Sequence, residues 1–480
     1  MRGVWVASVV NLDFPSKRDL PSAVQQAEFV QLLDQLQALG INAVFVQVRP
    51  SGDALYPTMA APFSEWLVGE QGALPKPFYD PLQFMIAETH KRGMEFHAWF
   101  NPFRAVFNNK TKLSEDHIAR LRPEWVVRYD AQRLFNPGIP EVRRWVVRSI
   151  LEVVMRYEID GVHLDDYFYP YPKAGIPDFD DQETFVQYGQ LDYGRKDDWR
   201  RSNISNFIRE LSEGIKAIKP FVKFGISPFG VWRNKADDPQ GSDTRAGITT
   251  YDILYADVRL WLQKGWLDYV APQLYFQVGH PLADYQTLLD WWTKNAFGRH
   301  VYIGQAIFKI EDWKSPQEMP DHLQRTRAQA QGDIFFRAKI LLQNPLGFAD
   351  SLQKDVAENG APLTPPMPWI DDTPPPPPKF LETLAYSRGI RLTWQKNDPD
   401  VRSLLLYRAK KGESLRLHAQ LNGDAVTFLD QEVTPKATYT YLLLCRDRLS
   451  NTSVPSPAVQ VKYRKKYQKR KSQVQVLPQN

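Results

Sequence analysis

Cysteine is almost absent, with one residue, Cys445, in a chain of 480. That excludes an internal disulfide and any metal site built on several thiolates; beside the apolar run Tyr441 to Leu444 the thiol reads as an inert core group. No stretch approaches eighteen consecutive apolar residues, so no transmembrane helix is expected. No signal peptide is read either, because Met1 leads straight into Arg2-Gly3-Val4-Trp5-Val6, already a strand pattern. Nor does a Gly-rich phosphate loop follow that strand, which counts against a doubly wound nucleotide-binding sheet. Acidic balance is missing at one end only. Net charge is +5, but residues 462–471 hold seven basic residues and no acid, leaving −2 for the remainder. This tail, taken as residues 464–480, reads as a solvated, disordered end or as a contact for an acidic polymer. Nucleic acid is not an expected partner.

Aromatic residues are plentiful: 14 Trp, 21 Tyr and 26 Phe. They matter because many fall beside polar groups at the ends of strand-like segments. Such segments are Gly3–Val10, Ile41–Val48, Met94–Phe100, Gly161–Asp165, Lys223–Ser227, Tyr269–Leu274, Val301–Ala306 and Gly332–Phe336. Amphipathic runs lie between them: Ser22–Leu39, Pro81–Arg92, Pro140–Tyr157, Arg200–Lys219, Tyr251–Lys264 and Ala283–Lys294. Eight strands alternating with helices predict a (β/α)8 TIM barrel over residues 1–360. Residues 361–378 hold nine prolines in eighteen, the composition of an extended spacer. Residues 379–463 change pattern to short strands with polar turns, predicting a β-sandwich. A Trp in its second strand (Trp394) and Tyr439-x-Tyr441 later resemble a fibronectin type III module.

The run Asp160-Gly-Val-His-Leu-Asp-Asp-Tyr-Phe-Tyr169 carries the most chemistry. Val162 and Leu164 face one side of a strand, His163 and Asp165 the other. In a parallel barrel the C-terminal strand ends hold the active site. Asp165 is therefore the first candidate catalytic carboxylate and Asp166 the second, either as its partner or as a loop anchor. Other strand ends supply candidate substrate contacts: Arg49 and Asp53, His97, Trp99 and Asn101, His163, Tyr167, Trp232, Gln273 and Tyr275. Amides and cations read sugar hydroxyls, and aromatic faces stack on sugar rings. His97 and His163 either bind hydroxyls or orient Asp165, sit as satisfied interior histidines, or join Asp165 around a metal. The Tyr167–Tyr171 and Asp178–Asp198 region is too long and polar for a simple βα turn and is expected to form a cleft wall or lid. No strand end carries Glu, so Asp53, or Asp237 and Asp238, stand as reserve acids.

Arg2-Gly-Val-Trp5, Gln47 to Asp53, Trp99-Phe-Asn-Pro102, Asp160 to Tyr169, Ser227-Pro-Phe-Gly230 and Pro272-Gln-x-Tyr275 resemble, in order, the bacterial family ten glycosyl hydrolase-like proteins. The resemblance covers roughly residues 1–350. It implies a glycoside hydrolase of the cell envelope acting on peptidoglycan glycan by a two-carboxylate mechanism, without a cofactor or metal. It also implies a periplasmic or extracellular location, with the export signal absent from this chain, and association with the envelope or division site. Two other readings are a barrel that binds glycan without cutting it and a metal-dependent hydrolase.

Overall fold

The computed structural model describes residues 1–395 and 397–464, so most of the basic tail lies outside the described residues. The chain divides into two compact units: Met1–Thr89 with Met94–Gln353, and His90–Gly93 with the residues from Lys354 onward.

In the first unit eight parallel strands close into a barrel: β1 (Arg2–Val6), β2 (Ala43–Arg49), β3 (Glu95–Phe100), β4 (Gly161–Leu164), β5 (Lys223–Ile226), β6 (Tyr269–Val270), β7 (His300–Gln305) and β8 (Gly332–Phe335), with β8 paired back onto β1. The principal helices between and after them are α1 (Ser22–Ala38), α2 (Pro81–Lys91), α3 (Pro140–Arg156), α4 (Lys196–Ile218), α5 (Val258–Gln263), α6 (Tyr285–Lys294), α7 (Glu318–Gln329) and α8 (Ala338–Leu342). The expected (β/α)8 barrel is present. Along α3, Val142, Val146, Ile150 and Val153 recur at helical spacing and are buried, which is what holds the helix on the sheet.

Some boundaries differ from expectation, each for a local reason. β1 ends at Val6, not Val10, because Gln47 Oε1 takes the backbone N–H groups of Ser8 (3.0 Å) and Val9 (2.9 Å). The chain then turns through Val9–Asn11, with Val10 and Asn11 at positive φ. The helix expected from Tyr251 starts only at Val258, where Asp257 caps it by accepting from the Leu260 N–H at 3.2 Å. Upstream, Asp252 is committed to Arg233 instead. An unexpected three-stranded sheet (Arg104–Val106, Val126–Tyr129, Gln132–Phe135) follows β3.

Rings fill the barrel interior. Phe45 stacks on His97 with centroids 4.4 Å apart, His163 lies parallel to Tyr269 at 6.0 Å, and Tyr269 meets Tyr302 at 5.3 Å. Glycines make the room. A Cβ on Gly161 would sit 2.3 Å from His97 Nδ1, and one on Gly225 would sit 2.3 Å from the Tyr269 ring.

In the second unit β9 (Phe380–Tyr386), β10 (Gly389–Trp394) and β13 (Thr427–Asp430) form one antiparallel sheet. The other sheet has the order β12-β11-β14-β15, from β11 (Ser403–Lys410), β12 (Arg416–Asn422), β14 (Thr438–Arg446) and β15 (Val459–Lys462). Trp394, Leu404, Leu406, Tyr441, Leu443 and Cys445 are buried together between them. The proline-rich stretch is tied to this unit: Met367 N–H donates to Leu449 O, and Asn451 Nδ2 to Asp371 O.

Candidate active site

A cleft of about 320 Å³ opens at the C-terminal end of the barrel. Asp165 and Asp166, the first two residues past the end of β4, both line it. Trp5, Trp99, Arg104, Tyr275 and Phe336 form much of the remaining wall. Its volume lies near the lower end of the range for small-molecule sites.

Asp165 is held by an amide relay whose direction is fixed from one end. Gln47 Oε1 accepts the two backbone N–H groups of Ser8 and Val9, so its Nε2 must point away, and it donates to Asn101 Oδ1 at 2.6 Å. Asn101 Nδ2 is thereby turned toward Asp165 and donates to Oδ2. The Tyr167 backbone N–H reaches Asp165 Oδ1 at 3.4 Å. Donors facing the carboxyl group favour its ionised form. Burial works the other way and prevails, raising Asp165 to about 6 even with the Arg104 charge pulling it down.

Asp166 is 3% exposed and accepts from the Tyr171 hydroxyl. Burial, followed by the charge of Asp165, pushes it up to about 7. Two adjacent carboxyl groups with titration spread around neutrality divide naturally into one that is charged and one that keeps its proton.

Arg104 lies over the Tyr167 ring at 4.9 Å and donates to Pro50 O at 3.2 Å. A second hollow of about 200 Å³ shares Arg104 and Tyr167 with the first and is lined further by Tyr129, Tyr169, Tyr171 and Lys173. The two hollows thus run along one wall.

Of the residues nominated from sequence, Asp165, Asp166, Trp99, Tyr167, Gln273 and Tyr275 line the cleft, and Asn101 supports it from beneath. Five do not reach it. Arg49 should share the inward face with Gln47, but the β2–β3 register slips between Gln47 and Arg49. The extra residue, Val48, turns Arg49 outward, where its guanidinium lies over Trp145 at 4.9 Å. Asp53 is buried nearby against Gln71 (3.4 Å), with burial raising it to about 6. Trp232 stacks on Trp291 at 5.6 Å and donates to Asp257 at 3.3 Å, away from the barrel mouth.

His163 and His97 form a column below the cleft. Trp5 Nε1 donates to His163 Nε2 at 3.0 Å, which fixes the other nitrogen, Nδ1, as the donor to Tyr269 Oη at 3.1 Å. Tyr269 contacts His97 Nδ1 at 3.0 Å, and His97 Nε2 contacts Glu95 at 3.1 Å. Burial holds His163 neutral, well below its usual range. With both rings engaged in this way, His97, His163 and Asp165 do not converge on a shared point that could hold a metal. Of the reserve acids, Asp238 pairs with Arg233 at 2.8 Å and Asp237 accepts from Asn234 at 3.0 Å. Of the two stretches expected to form a cleft wall, residues 167–171 line it, with Tyr167 in the cleft and Tyr167, Tyr169 and Tyr171 in the second hollow, whereas residues 178–198 line neither; buried Arg200 clamps the latter through Asp181 (2.6 Å) and Asp178 (2.9 Å).

Sequence reasoning did not nominate Gln47, Arg104 or Phe336. The signal for Gln47 was available: an amide facing the interior next to the apolar run of β2 needs partners at the barrel mouth. Phe336 reaches the cleft through loop geometry that no periodicity encodes.

Residues 1–320 match the family described as glycosyl hydrolase-like 10. The chain is 46% identical over 474 residues to glycosyl hydrolase YngK of Bacillus subtilis strain 168, covering 95% of this chain and 92% of that protein. It is 40% identical over 372 residues to glycosyl hydrolase DigH of Escherichia coli K12, covering 71% of this chain and 83% of that protein.

Proposed function

This chain belongs to the glycosyl hydrolase-like 10 family and is a glycoside hydrolase, and from that premise we propose that it cuts the glycan strands of bacterial peptidoglycan, using Asp165 and Asp166 as its working carboxyl pair. The observation that carries this reading is the placement of both carboxyl groups, buried and raised toward neutrality, in one aromatic-walled cleft. Hydrolysis of a glycosidic bond needs a proton donor for the leaving oxygen and a second group that stabilises charge at the anomeric carbon. Asp166, whose proton is favoured by burial and by the Asp165 charge beside it, supplies the proton, and Asp165, held by the amide donors of Asn101 and Tyr167, stays charged.

The binder reading has a physical argument against it. Two neighbouring carboxyl groups buried near their titration point cost stability and give a passive sugar site nothing that neutral amides would not. Trp99 and Tyr275 supply stacking faces, and Arg104 meets the carboxylate of a lactyl-bearing sugar. The second hollow extends the site beyond one sugar, as a polymer substrate requires. The β-sandwich, read as fibronectin type III-like, and the basic tail hold the barrel on a polyanionic wall in the periplasm or at the cell surface.

Digestion of purified peptidoglycan, intact and amidase-stripped, by the unmodified protein and by Asp165→Asn tests this, with fragments identified by mass spectrometry. New sugar ends are expected from the unmodified protein only. Equal release by the variant removes Asp165 from its role.

A further inference from the structure

We propose that the cleft selects a 2-acetamido sugar and that the nucleophile is the acetyl oxygen of that sugar, with Asp165 orienting the amide N–H and Asp166 serving as the acid. This rests on the glycosidase reading above and extends it.

The starting point is where the carboxyl groups are. Asp165 and Asp166 are the only acidic side chains lining the cleft among the described residues, and they are consecutive. Their Cα atoms are therefore about 3.8 Å apart, and both side chains rise from one strand end. A displacement by an enzyme carboxylate needs a nucleophile on the face of the anomeric carbon away from the leaving oxygen. Gln273, Tyr275, Phe336 and Trp5 continue the lining beyond that strand end, and they offer an amide, a phenol and rings. Asp53, Asp237 and Asp238 lie outside the cleft lining, Asp53 against Gln71, Asp237 on Asn234 and Asp238 on Arg233. No protein carboxylate is thus positioned to attack across the sugar from the acid.

A substrate carrying an amide at C2 brings its own nucleophile. Asp165 suits the task of holding that amide, because Asn101 Nδ2 fixes one of its oxygens and an ionised carboxylate accepts a substrate N–H. The acetyl methyl needs an apolar cup. Trp5, Phe336 and Tyr275 form one, with centroids 5.9 Å and 6.4 Å apart in sequence around the cleft.

The chemistry balances in two steps. First, the Asp166 carboxylic acid gives its proton to the glycosidic oxygen as the C1–O bond breaks. The acetamido carbonyl oxygen bonds to C1, forming a cyclic oxazolinium whose N–H is held by Asp165. Second, Asp166, now a carboxylate, takes a proton from water while the water oxygen bonds to C1. The bond between C1 and the former acetyl oxygen of the oxazolinium breaks, its electron pair returns to that oxygen, and the acetamide is restored. Two inversions give net retention.

The test uses amidase-stripped glycan strands, the same strands N-deacetylated, and the same strands re-N-acetylated. Cleavage of the deacetylated strand is expected to be slower by at least about a thousandfold, since an intramolecular nucleophile is lost. Re-N-acetylation is expected to restore it. A thiazoline analogue of N-acetylglucosamine, which mimics the cyclic intermediate, is expected to inhibit the unmodified protein competitively. A sugar ester trapped on Asp165 with a 2-fluoro glycosyl fluoride, inversion at C1, or equal rates on deacetylated strand overturns this inference and leaves the glycosidase reading standing. Failure to cut any stripped strand overturns both.

Discussion

Asn101 has both ends of its amide committed, accepting from Gln47 Nε2 and donating to Asp165. Asn101→Ala therefore removes one donor from the Asp165 carboxyl and leaves the barrel otherwise packed. Its expected effect is a fall in kcat of about 10- to 100-fold, the loss of a charge-assisted hydrogen bond of about 1.5–3 kcal/mol. Without that donor Asp165 titrates higher, so the acid limb of the pH–rate profile moves up. A purely structural loss would lower Tm without moving the limb. On the roles proposed above, Asp165 charged and Asp166 protonated, the optimum is expected between about 6 and 7. The same shifts bear on stability. Because burial raises Asp166, the folded chain keeps a proton that the unfolded chain has released between about pH 4 and 7. Stability thus falls as pH rises through that window and stays low above it. Asp166→Asn is expected to be more stable than the unmodified protein at pH 8, by on the order of 2 kcal/mol, and no more stable at pH 4. Thermal unfolding at the two pH values checks this; a gain at pH 4 equal to that at pH 8 would refute the linkage.

At the scale of elements, the barrel depends on glycines in β4 and β5 that leave space for side chains of neighbouring strands. Gly161→Ala and Gly225→Ala each place a methyl 2.3 Å from a packed ring, against His97 and Tyr269. Overpacking of this kind costs about 1–3 kcal/mol, so Tm should drop by several degrees in each variant. Gly194→Ala, with nothing within 4 Å of the added carbon, is the control and should leave Tm unchanged. The eight strands were legible in the sequence because each is a short apolar run closed by Gly, Pro or a polar end, and that pattern is local. The tip of β4 was legible for the same reason: alternation alone puts Asp165 on the interior side. Arg49 was misplaced because one inserted residue, Val48, flips the parity of everything after it. A bulge leaves no mark in composition. Trp232 failed differently: an aromatic residue past a strand end serves equally as a sugar platform or as packing for a helix, and here Trp291 of α6 claims it. The histidines on β3 and β4 were assigned to the correct face but to the wrong depth, since alternation gives direction and not height.

For the whole molecule, the proposed peptidoglycan substrate raises the question of how a barrel with a small cleft would keep hold of an insoluble polymer. The sequence concentrates positive charge in its final residues: beyond Arg464 come Lys465, Lys466, Lys469, Arg470 and Lys471, with no acid among residues 465–480. Attraction between such a run and a polyanionic wall is long-ranged and falls off as salt shortens the screening length from about 10 Å at 0.1 M to about 3 Å at 1 M. Stacking and hydrogen bonds inside the cleft respond far less to salt. The two contributions can therefore be separated with a protein ending at Arg464. Its kcat on short soluble glycan should match that of the full chain, because no cleft residue has been touched. Its retention on sedimented sacculi should be weaker at 50 mM salt and equal to that of the full chain at 1 M. Co-sedimentation across a salt series reads this directly. If the shortened protein sediments like the full chain at low salt, wall attachment belongs to the barrel and the sandwich, and the charged tail has no part in it.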